Sequence, residues 1–223
     1  LTAVMLLTAA PLSGFAGLEL PNLADLFTLK ADAATYSGKC GYNLTWSLDT
    51  DTGVLTISGT GAMYNWSSSS NAPWYSNRSS IKIVVIGDSV TSIGNWAFGY
   101  CDSLTSVTIP DSVTSIGSRA FSGCTGLTSV IIGNSVTSIG YFAFGNCTGL
   151  TSITVKEGNP NYSSDEYGVL FNKDKTLLIQ YPIGNTRTSY TIPDSVTSIG
   201  DAAFGNCTGL TSVTIPDSVT SIG

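Results

Sequence analysis

Apolar residues recur along this chain in a frame of 23 residues. The glycine that closes the phrase Val-Thr-Ser-Ile-Gly marks the frame at Gly94, Gly117 and Gly140, and again at Gly200 and Gly223. A fixed period of this length means that each unit is one coil, which cannot bury its apolar face alone, so the coils must stack. The pattern therefore predicts a β-rich solenoid. Equivalent residues should form inward-facing files, namely Phe98, Phe121, Phe144 and Phe204, and Cys101, Cys124, Cys147 and Cys207.

Each unit contains a triplet that alternates in the manner of a β-strand. In one unit Val107 and Ile109 are predicted to face inward, while Ser106 and Thr108 face outward. Stacked triplets, among them those at 130–132, 153–155 and 213–215, predict a parallel sheet with outward hydroxyls about 4.8 Å apart. A second extended segment should lie opposite, and Gly117 is expected to supply a positive φ at the corner after it. Little helix is expected.

Three stretches depart from the frame. Residues 36–80 hold three of the four tryptophans and a hairpin pattern with an Asp- and Gly-containing turn, which predicts an N-terminal β-hairpin cap. The solenoid is placed at 81–223, with an enlarged, bulging unit at 156–191. The chain stops halfway through a coil, so we expect the parent protein to continue.

The first 35 residues are interpreted as a truncated signal peptide, because an apolar run at 1–10 is too short to span a bilayer. Small residues permit cleavage after Ala16 or after Ala33. We favour Ala33, because it leaves a polar mature start just before the folded pattern. The alternative is an ordinary buried N-terminal helix.

The composition argues against several classes of function. Charged residues make up 11% of the chain and the net charge is −6, which is the opposite of the basic footprint of a nucleic-acid-binding protein. Histidine is absent, so the commonest general base and transition-metal ligand are missing. No convincing pair of nucleophile and base can be assembled. We therefore expect no catalysis, no cofactor and no membrane span in this chain.

The cysteines and one acidic turn are candidate sites of chemistry. The four cysteines in the frame are expected to be buried thiols, with a disulfide as the alternative, and Cys40 lies outside the frame. No C-x-x-C spacing supports a metal site. Asp49 and Asp51 alternate as at the start of a calcium loop, but the remaining ligands are missing, so a plain hairpin turn is favoured.

The unit I-P-x-x-V-x-x-I-G-x-x-A-F-x-x-C-x-x-L-x-x-V resembles the BspA-type leucine-rich repeat of bacterial surface proteins, also called the Treponema-type repeat. The resemblance covers about residues 81–223. Cys40-Gly-Tyr-Asn-Leu-Thr-Trp and the segment at 57–63 are similar to the module that often precedes such repeats. The resemblance implies export, a cell-surface location and, for some members, adhesion to host proteins or other cells. It supplies no catalytic residues.

The predicted contact surface is the outward row of the strands, with a simple solvated sheet as the alternative. Its residues are Ser106, Thr108, Ser129, Ile131, Ser152, Thr154, Ser212 and Thr214. The tyrosines of the enlarged unit are expected to pack in the core or to cover the solenoid edge, with interface anchors as the alternative; they are Tyr162, Tyr167, Tyr181 and Tyr190. The predicted function is a protein-binding or adhesion module for extracellular proteins. A spacer for a missing C-terminal domain and a glycan-binding module built on the cap tryptophans remain open.

Overall fold

The computed structural model describes residues 34–223, so the predicted cleavage after Ala16 or Ala33 lies outside the described residues. The first strands are β1 Thr35–Lys39, β2 Leu44–Asp49, β3 Val54–Gly59, β4 Gly61–Ala62, β5 Ile83–Ile86, β6 Val90–Ile93, β7 Ser106–Thr108, β8 Ser115–Ile116, β9 Ser129–Ile132, β10 Ser138–Ile139 and β11 Ser152–Val155. The remaining strands are β12 Tyr162–Ser164, β13 Leu170–Asn172, β14 Leu177–Gln180, β15 Ser189–Thr191, β16 Ser198–Ile199, β17 Ser212–Thr214 and β18 Ser221–Ile222. Two short 3₁₀ helices, Ser69–Asn71 and Tyr75–Ser80, complete the secondary structure of this part of the chain. The predicted β-rich solenoid with little helix is confirmed.

Seven strands form the largest sheet, in the order β1-β2-β3-β5-β7-β9-β11. The first three are antiparallel, and the predicted hairpin is β2–β3, while β3 to β11 pair in parallel. Ser106 pairs with Ser129, and Ser129 pairs with Ser152. Residues 23 positions apart therefore lie side by side on neighbouring strands. Since β3 pairs with β5 and β4 with β6, the hairpin segment already contributes strands to both sheets of the solenoid.

The other sheet of the coils has the order β10-β8-β6-β4, and all its pairs are parallel. Threonines next to the strands tie successive coils of both sheets together. The hydroxyl of Thr128 donates to the carbonyl of Thr105 at 2.9 Å, and that of Thr151 donates to Thr128 at 3.0 Å. The hydroxyl of Thr114 donates to Thr91 at 3.1 Å. A β-branched side chain that also bonds the preceding coil suits a stack of short strands.

Aromatic rings stack along the core between the two sheets. The ring centroids of Phe98 and Phe121 are 5.1 Å apart, and those of Phe121 and Phe144 are 5.7 Å apart. Trp74, which lies outside the 23-residue frame, begins this file by stacking on Phe98 at 5.5 Å. Its indole N–H donates to the carbonyl of Ala97 at 2.8 Å, which satisfies the polar atom of a buried tryptophan.

The expectation of a positive φ at Gly117 is wrong. This glycine is needed for close approach, because a Cβ there would lie 2.5 Å from the Asn95 nitrogen and 2.6 Å from the Gly94 carbonyl carbon. The positive φ falls two residues later in the frame. The residues that adopt it are Trp96 (59°), Arg119 (54°), Phe142 (55°) and Ala202 (50°).

The enlarged unit folds as an antiparallel meander, β12-β13-β14, which joins β16 and β18 in a five-stranded sheet. It also covers the edge of the seven-stranded sheet. The N–H of Ile153 donates to the carbonyl of Gly168 at 3.0 Å, and that of Val155 donates to the Ser164 hydroxyl at 3.1 Å. These two N–H groups at the edge of β11 are therefore already paired, and the next repeat does not extend this sheet.

The expectation that the triplet at 213–215 continues the same sheet is consequently wrong. β17 pairs with β15 in a separate two-stranded sheet. The core divides at the same place. One hydrophobic cluster runs from Cys40 to Val155 with Leu170, and a smaller one runs from Val169 to Ala203. In the smaller cluster Tyr181 takes the place of a frame phenylalanine, stacking on Phe204 at 5.4 Å.

Candidate interaction surface

Six of the eight residues predicted for the contact row lie together on one face of the seven-stranded sheet. They are Ser106, Thr108, Ser129, Ile131, Ser152 and Thr154, on β7, β9 and β11. Ser212 and Thr214 lie on β17 instead, in the separate two-stranded sheet. The alternation between inward and outward side chains follows the strand period, with Val107, Val130 and Ile153 buried between the outward residues.

Sequence reasoning missed two further members of this face, both on β5. Ile83 is 50% exposed and Val85 is 45% exposed, and Ile83 pairs with Ser106. Their positions lie one 23-residue step before Ser106 and Thr108, so the frame itself was the signal that could have found them. With these two, the outer face is defined as the eight outward residues of β5, β7, β9 and β11: Ile83, Val85, Ser106, Thr108, Ser129, Ile131, Ser152 and Thr154.

The outer face combines exposed aliphatic side chains with hydroxyls that are free to bond elsewhere. Ile131 is 39% exposed, between Thr108 and Thr154 in register. Within the described residues, the hydroxyls of Thr108 and Thr154 have no hydrogen-bond partner, whereas that of Thr128 bonds the preceding coil. The threonines of this sheet are therefore of two kinds. One kind holds the coils together, and the other is available to a partner.

The outer face is uncharged. Among the described residues, the ion pair lies at a coil corner, where Lys156 Nζ is 3.0 Å from Asp111 Oδ1. The N–H of Asn134 and the Lys156 ammonium together hold the pKa of the Asp111 carboxyl below its usual value. A neutral surface of Ser, Thr, Ile and Val does not attract a highly charged ligand by long-range electrostatics.

All five cysteines are free thiols, and four are buried. Among the cysteines of the 23-residue frame, Cys124 Sγ donates to the carbonyl of Phe98 at 3.0 Å, and Cys147 Sγ donates to the carbonyl of Phe121 at 3.1 Å. Burial raises the pKa of Cys101 to about 12 and that of the half-buried Cys207 to about 11. Thiols with such pKa values are poor nucleophiles, since the thiolate is the reactive form.

The aromatic candidates lie mostly in the core. Tyr181 and Tyr190 are buried, and the Tyr190 hydroxyl donates to Asp165 Oδ2 at 2.7 Å. Tyr162 packs against the larger cluster, and its hydroxyl accepts from the N–H of Ile139 at 3.2 Å. Tyr167 is half-exposed, and its ring is covered by the guanidinium of Arg187, which lies 3.6 Å from the ring centroid.

The acidic turn at Asp49 is used by the hairpin itself. Asp49 Oδ1 accepts the backbone N–H of Asp51 at 2.9 Å and that of Thr52 at 3.2 Å, and Gly53 closes the turn with a φ of 74°. A side-chain oxygen that bonds the next backbone N–H groups is the usual way in which Asp stabilises a tight turn. In residues 34–223, no group of three or more acidic or cysteine side chains is arranged to hold a metal ion.

The stacked coils, inward aromatic and thiol files and open strand face define a leucine-rich-repeat solenoid. The chain belongs to the BspA type leucine rich repeat family, of which six copies match residues 70–171 and 184–223. This confirms the resemblance found in the sequence. The family is in general a non-catalytic repeat scaffold, and the leucine-rich-repeat fold is typical of protein-interaction modules.

Solved bacterial structures share this fold. A leucine-rich repeat protein from Eubacterium ventriosum is 31% identical over 85% of this chain, with a TM-score of 0.52, and the chain spans 62% of its length. A leucine rich cell surface protein from Faecalibacterium prausnitzii is 24% identical over 84% of this chain and 72% of its own, with a TM-score of 0.57. The pneumococcal vaccine antigen PcpA is 19% identical over 83% of this chain and 66% of its own, with a TM-score of 0.53.

A search of curated proteins gave no match. Within the described residues, no helix has the length and apolar character needed to cross a bilayer.

Proposed function

We propose that this chain is a secreted or cell-surface module that binds extracellular proteins through its outer face. The observation that carries the proposal is the set of exposed aliphatic side chains, Ile83, Val85 and Ile131, placed among unpaired threonine hydroxyls. Exposed apolar residues that are grouped on one face and rimmed by polar residues are typical of interaction sites. The cell-surface relative of the same fold supports the location.

The mechanism is a set of modest contacts repeated along the strands. The aliphatic side chains are buried against a partner, and this burial favours binding by roughly 25 cal/mol per Å² of apolar area removed from water. The hydroxyls of Thr108 and Thr154 pair directly or through bridging water, which costs little affinity. Because the surface is neutral, association should depend only weakly on ionic strength.

A glycan-binding module built on the cap tryptophans is not supported by the geometry. Trp46 and Trp74 are buried in the larger core cluster, with ring centroids 5.6 Å apart, and the partly buried Trp66 packs on Trp74 at 5.5 Å. The two tryptophan–tryptophan contacts are edge-on, and Trp74 also stacks on the ring of Phe98. The buried Trp46 and Trp74 therefore offer no open platform on which a sugar ring could stack.

The test is a screen of the full chain against an array of extracellular proteins, followed by affinity measurement with Ile131→Lys and Thr91→Lys. Thr91 is exposed on β6, in the other sheet, and is the matched control. Loss of binding with Ile131→Lys alone supports the proposal. Equal binding by both variants to every partner found would overturn it, and an array without any partner would favour a spacer.

A further inference from the structure

A cavity of about 440 Å³ opens where the enlarged unit interrupts the regular stack. One wall is the corner at 140–146, the other is the corner at 200–206, and residues 177–183 contribute the floor. Its lining is mostly apolar: Tyr141, Phe142, Leu170, Leu177, Ile179 and Ile183. This repeat-junction cavity shares no residue with the outer face. Its volume falls in the range of ligand-binding pockets, roughly 300–1,000 Å³.

The cavity exists because one coil corner is missing. In the regular stack each corner donates backbone N–H groups to the next corner, as Trp96 does to the carbonyl of Ser118 at 3.0 Å and Arg119 to that of Tyr141 at 2.9 Å. The enlarged unit has no Gly-x-x-Ala-Phe corner. In the layer where this corner would lie, the backbone N–H of Tyr181 donates to the carbonyl of Ala203 in the following coil at 2.8 Å. The outer part of that layer is left empty.

The missing corner leaves backbone groups without partners on both walls. Phe142 and Asn146 hold the frame positions that donate in the preceding coils, yet their N–H groups have no acceptor within residues 34–223. Opposite them, the carbonyl of Asp201 has no donor within the same residues. A single side-chain bond joins the walls, from Asn206 Nδ2 to Asn146 Oδ1 at 2.9 Å. The equivalent groups of the regular corners are paired with the neighbouring coil, so these three mark the layer that a ligand would complete.

We infer that the repeat-junction cavity binds a short extended peptide segment of a partner protein. An extended peptide presents backbone carbonyl and N–H groups along both of its edges. It can therefore accept from Phe142 and Asn146 while donating to Asp201. One apolar side chain of the peptide fills the space between Tyr141 and Ile179. Pairing with unpaired backbone groups gives affinity, and the pocket gives specificity. The inference rests on the proposed function only in that the partner is a protein.

The test uses the full chain, labelled with ¹⁵N, and tripeptides blocked at both ends with phenylalanine, leucine, glycine or lysine in the middle. We expect saturable shifts of the Phe142 and Asn146 amide signals with the phenylalanine and leucine peptides. Amide hydrogen exchange at both positions should slow by about tenfold at saturation, as expected for one new hydrogen bond each. The glycine and lysine peptides should bind several-fold more weakly, since neither places an apolar group in the cavity.

A cavity-filling variant supplies the control. Ala202→Trp places at this corner the residue that Trp96 already provides at the same frame position and the same positive φ, so the coil can accept it. We expect Ala202→Trp to abolish peptide binding, and Thr125→Trp, an exposed substitution on another coil, to preserve it. Peptide binding that survives Ala202→Trp, the absence of any peptide binding, or binding of N-acetylglucosamine in place of the peptides would each overturn the inference. Array partners that bind Ala202→Trp normally but fail with Ile131→Lys would leave the proposed function intact.

Discussion

Individual residues in this chain play roles that their type alone does not reveal. The threonines show this most clearly, since Thr128 bonds the preceding coil while Thr108, on the same sheet, has a hydroxyl without a partner in the described residues. Both threonines are exposed. Thr128 directly precedes β9, and Thr108 lies in β7. The difference comes from the direction of the side chain, which the 23-residue frame fixes for every repeat.

Removing one ring of the aromatic file should destabilise the fold strongly. Phe121 is fully buried between Phe98 and Phe144, so Phe121→Ala loses transfer free energy and leaves a cavity. We expect a cost of about 3–5 kcal/mol in the free energy of unfolding, measured by urea denaturation. The control is Tyr42→Ala, at a ring that is 85% exposed, which should cost less than about 0.5 kcal/mol. Similar costs for the two variants would contradict the stacked core.

The buried thiols should make the fold sensitive to alkaline pH. Burial raises the pKa of Cys40 and of Cys101 to about 12, whereas an unfolded thiol titrates near 8.5. Above that value the unfolded chain releases protons that the folded chain retains. The stability is therefore fully present below about pH 8.5 and is lost as pH rises toward 12.

The pH at which this loss begins can be measured by urea denaturation between pH 7 and pH 10.5. Each fully protected thiol contributes a slope approaching about −1.4 kcal/mol per pH unit at the upper end. Cys101→Ala should make the decline shallower relative to the wild type. An identical slope in the variant would show that the Cys101 thiol does not contribute.

At the scale of strands and corners, the frame predicts what repeats and fails where the repeat is broken. The alternation at Val107 and Thr108 gave the inward and outward faces of the sheet correctly. The positive φ expected at Gly117 is wrong, because a sequence does not distinguish a glycine needed for positive φ from one needed for close approach. Packing of Tyr181 in the core is among the sequence expectations, but its place on Phe204 in the position of a frame phenylalanine is not, since the enlarged unit shifts it out of the frame.

The two kinds of threonine can be separated by matched substitutions. Thr128→Val keeps the β-branched shape but removes the hydroxyl that donates to Thr105 at 2.9 Å. We expect it to lower the free energy of unfolding by about 0.5–1.5 kcal/mol. Thr108→Val should change stability by less than about 0.5 kcal/mol while weakening partner binding. The reverse order of the two stabilities would refute the division between structural and available hydroxyls.

The close approach at coil corners is tested with glycine-to-alanine pairs. At Gly117 an added Cβ meets backbone atoms of the preceding coil at 2.5–2.6 Å, whereas at Gly209 the nearest atom is the Asn185 carbonyl oxygen at 3.6 Å. We expect Gly117→Ala to cost about 1–3 kcal/mol, as overpacking does, and Gly209→Ala to be nearly neutral. Thermal unfolding of both variants gives the comparison. A tolerated Gly117→Ala would mean that the coils can move apart at little cost.

At the scale of the whole described chain, the enlarged unit divides one solenoid into two unequal cores. The cluster from Cys40 onward has 36 buried residues, and the cluster from Val169 to Ala203 has nine. The stability of a solenoid is approximately a sum over repeats and their interfaces, so the smaller cluster should open first. The sequence located the enlarged unit but not this division, because the bonds that cover β11 come from Gly168 and Ser164, which no periodicity marks.

Native-state hydrogen exchange measures the order of opening directly. We expect the amides of β15–β17 to exchange at lower opening free energy than those of β7 and β9. Phe121→Ala should lower protection around β7 and β9 more than around β17, since that ring belongs to the larger cluster. A single uniform opening free energy throughout residues 34–223 would contradict two separable cores.

The outer face is the central claim at this scale, and photo-crosslinking tests it most directly. A photoreactive residue is placed at Ile131 on the outer face, or at Thr91 on the other sheet as control, in the full chain mixed with a partner found on the extracellular protein array. The account predicts a crosslink from position 131 and none from position 91. A partner that crosslinks only from position 91, or equally from both positions, would contradict it.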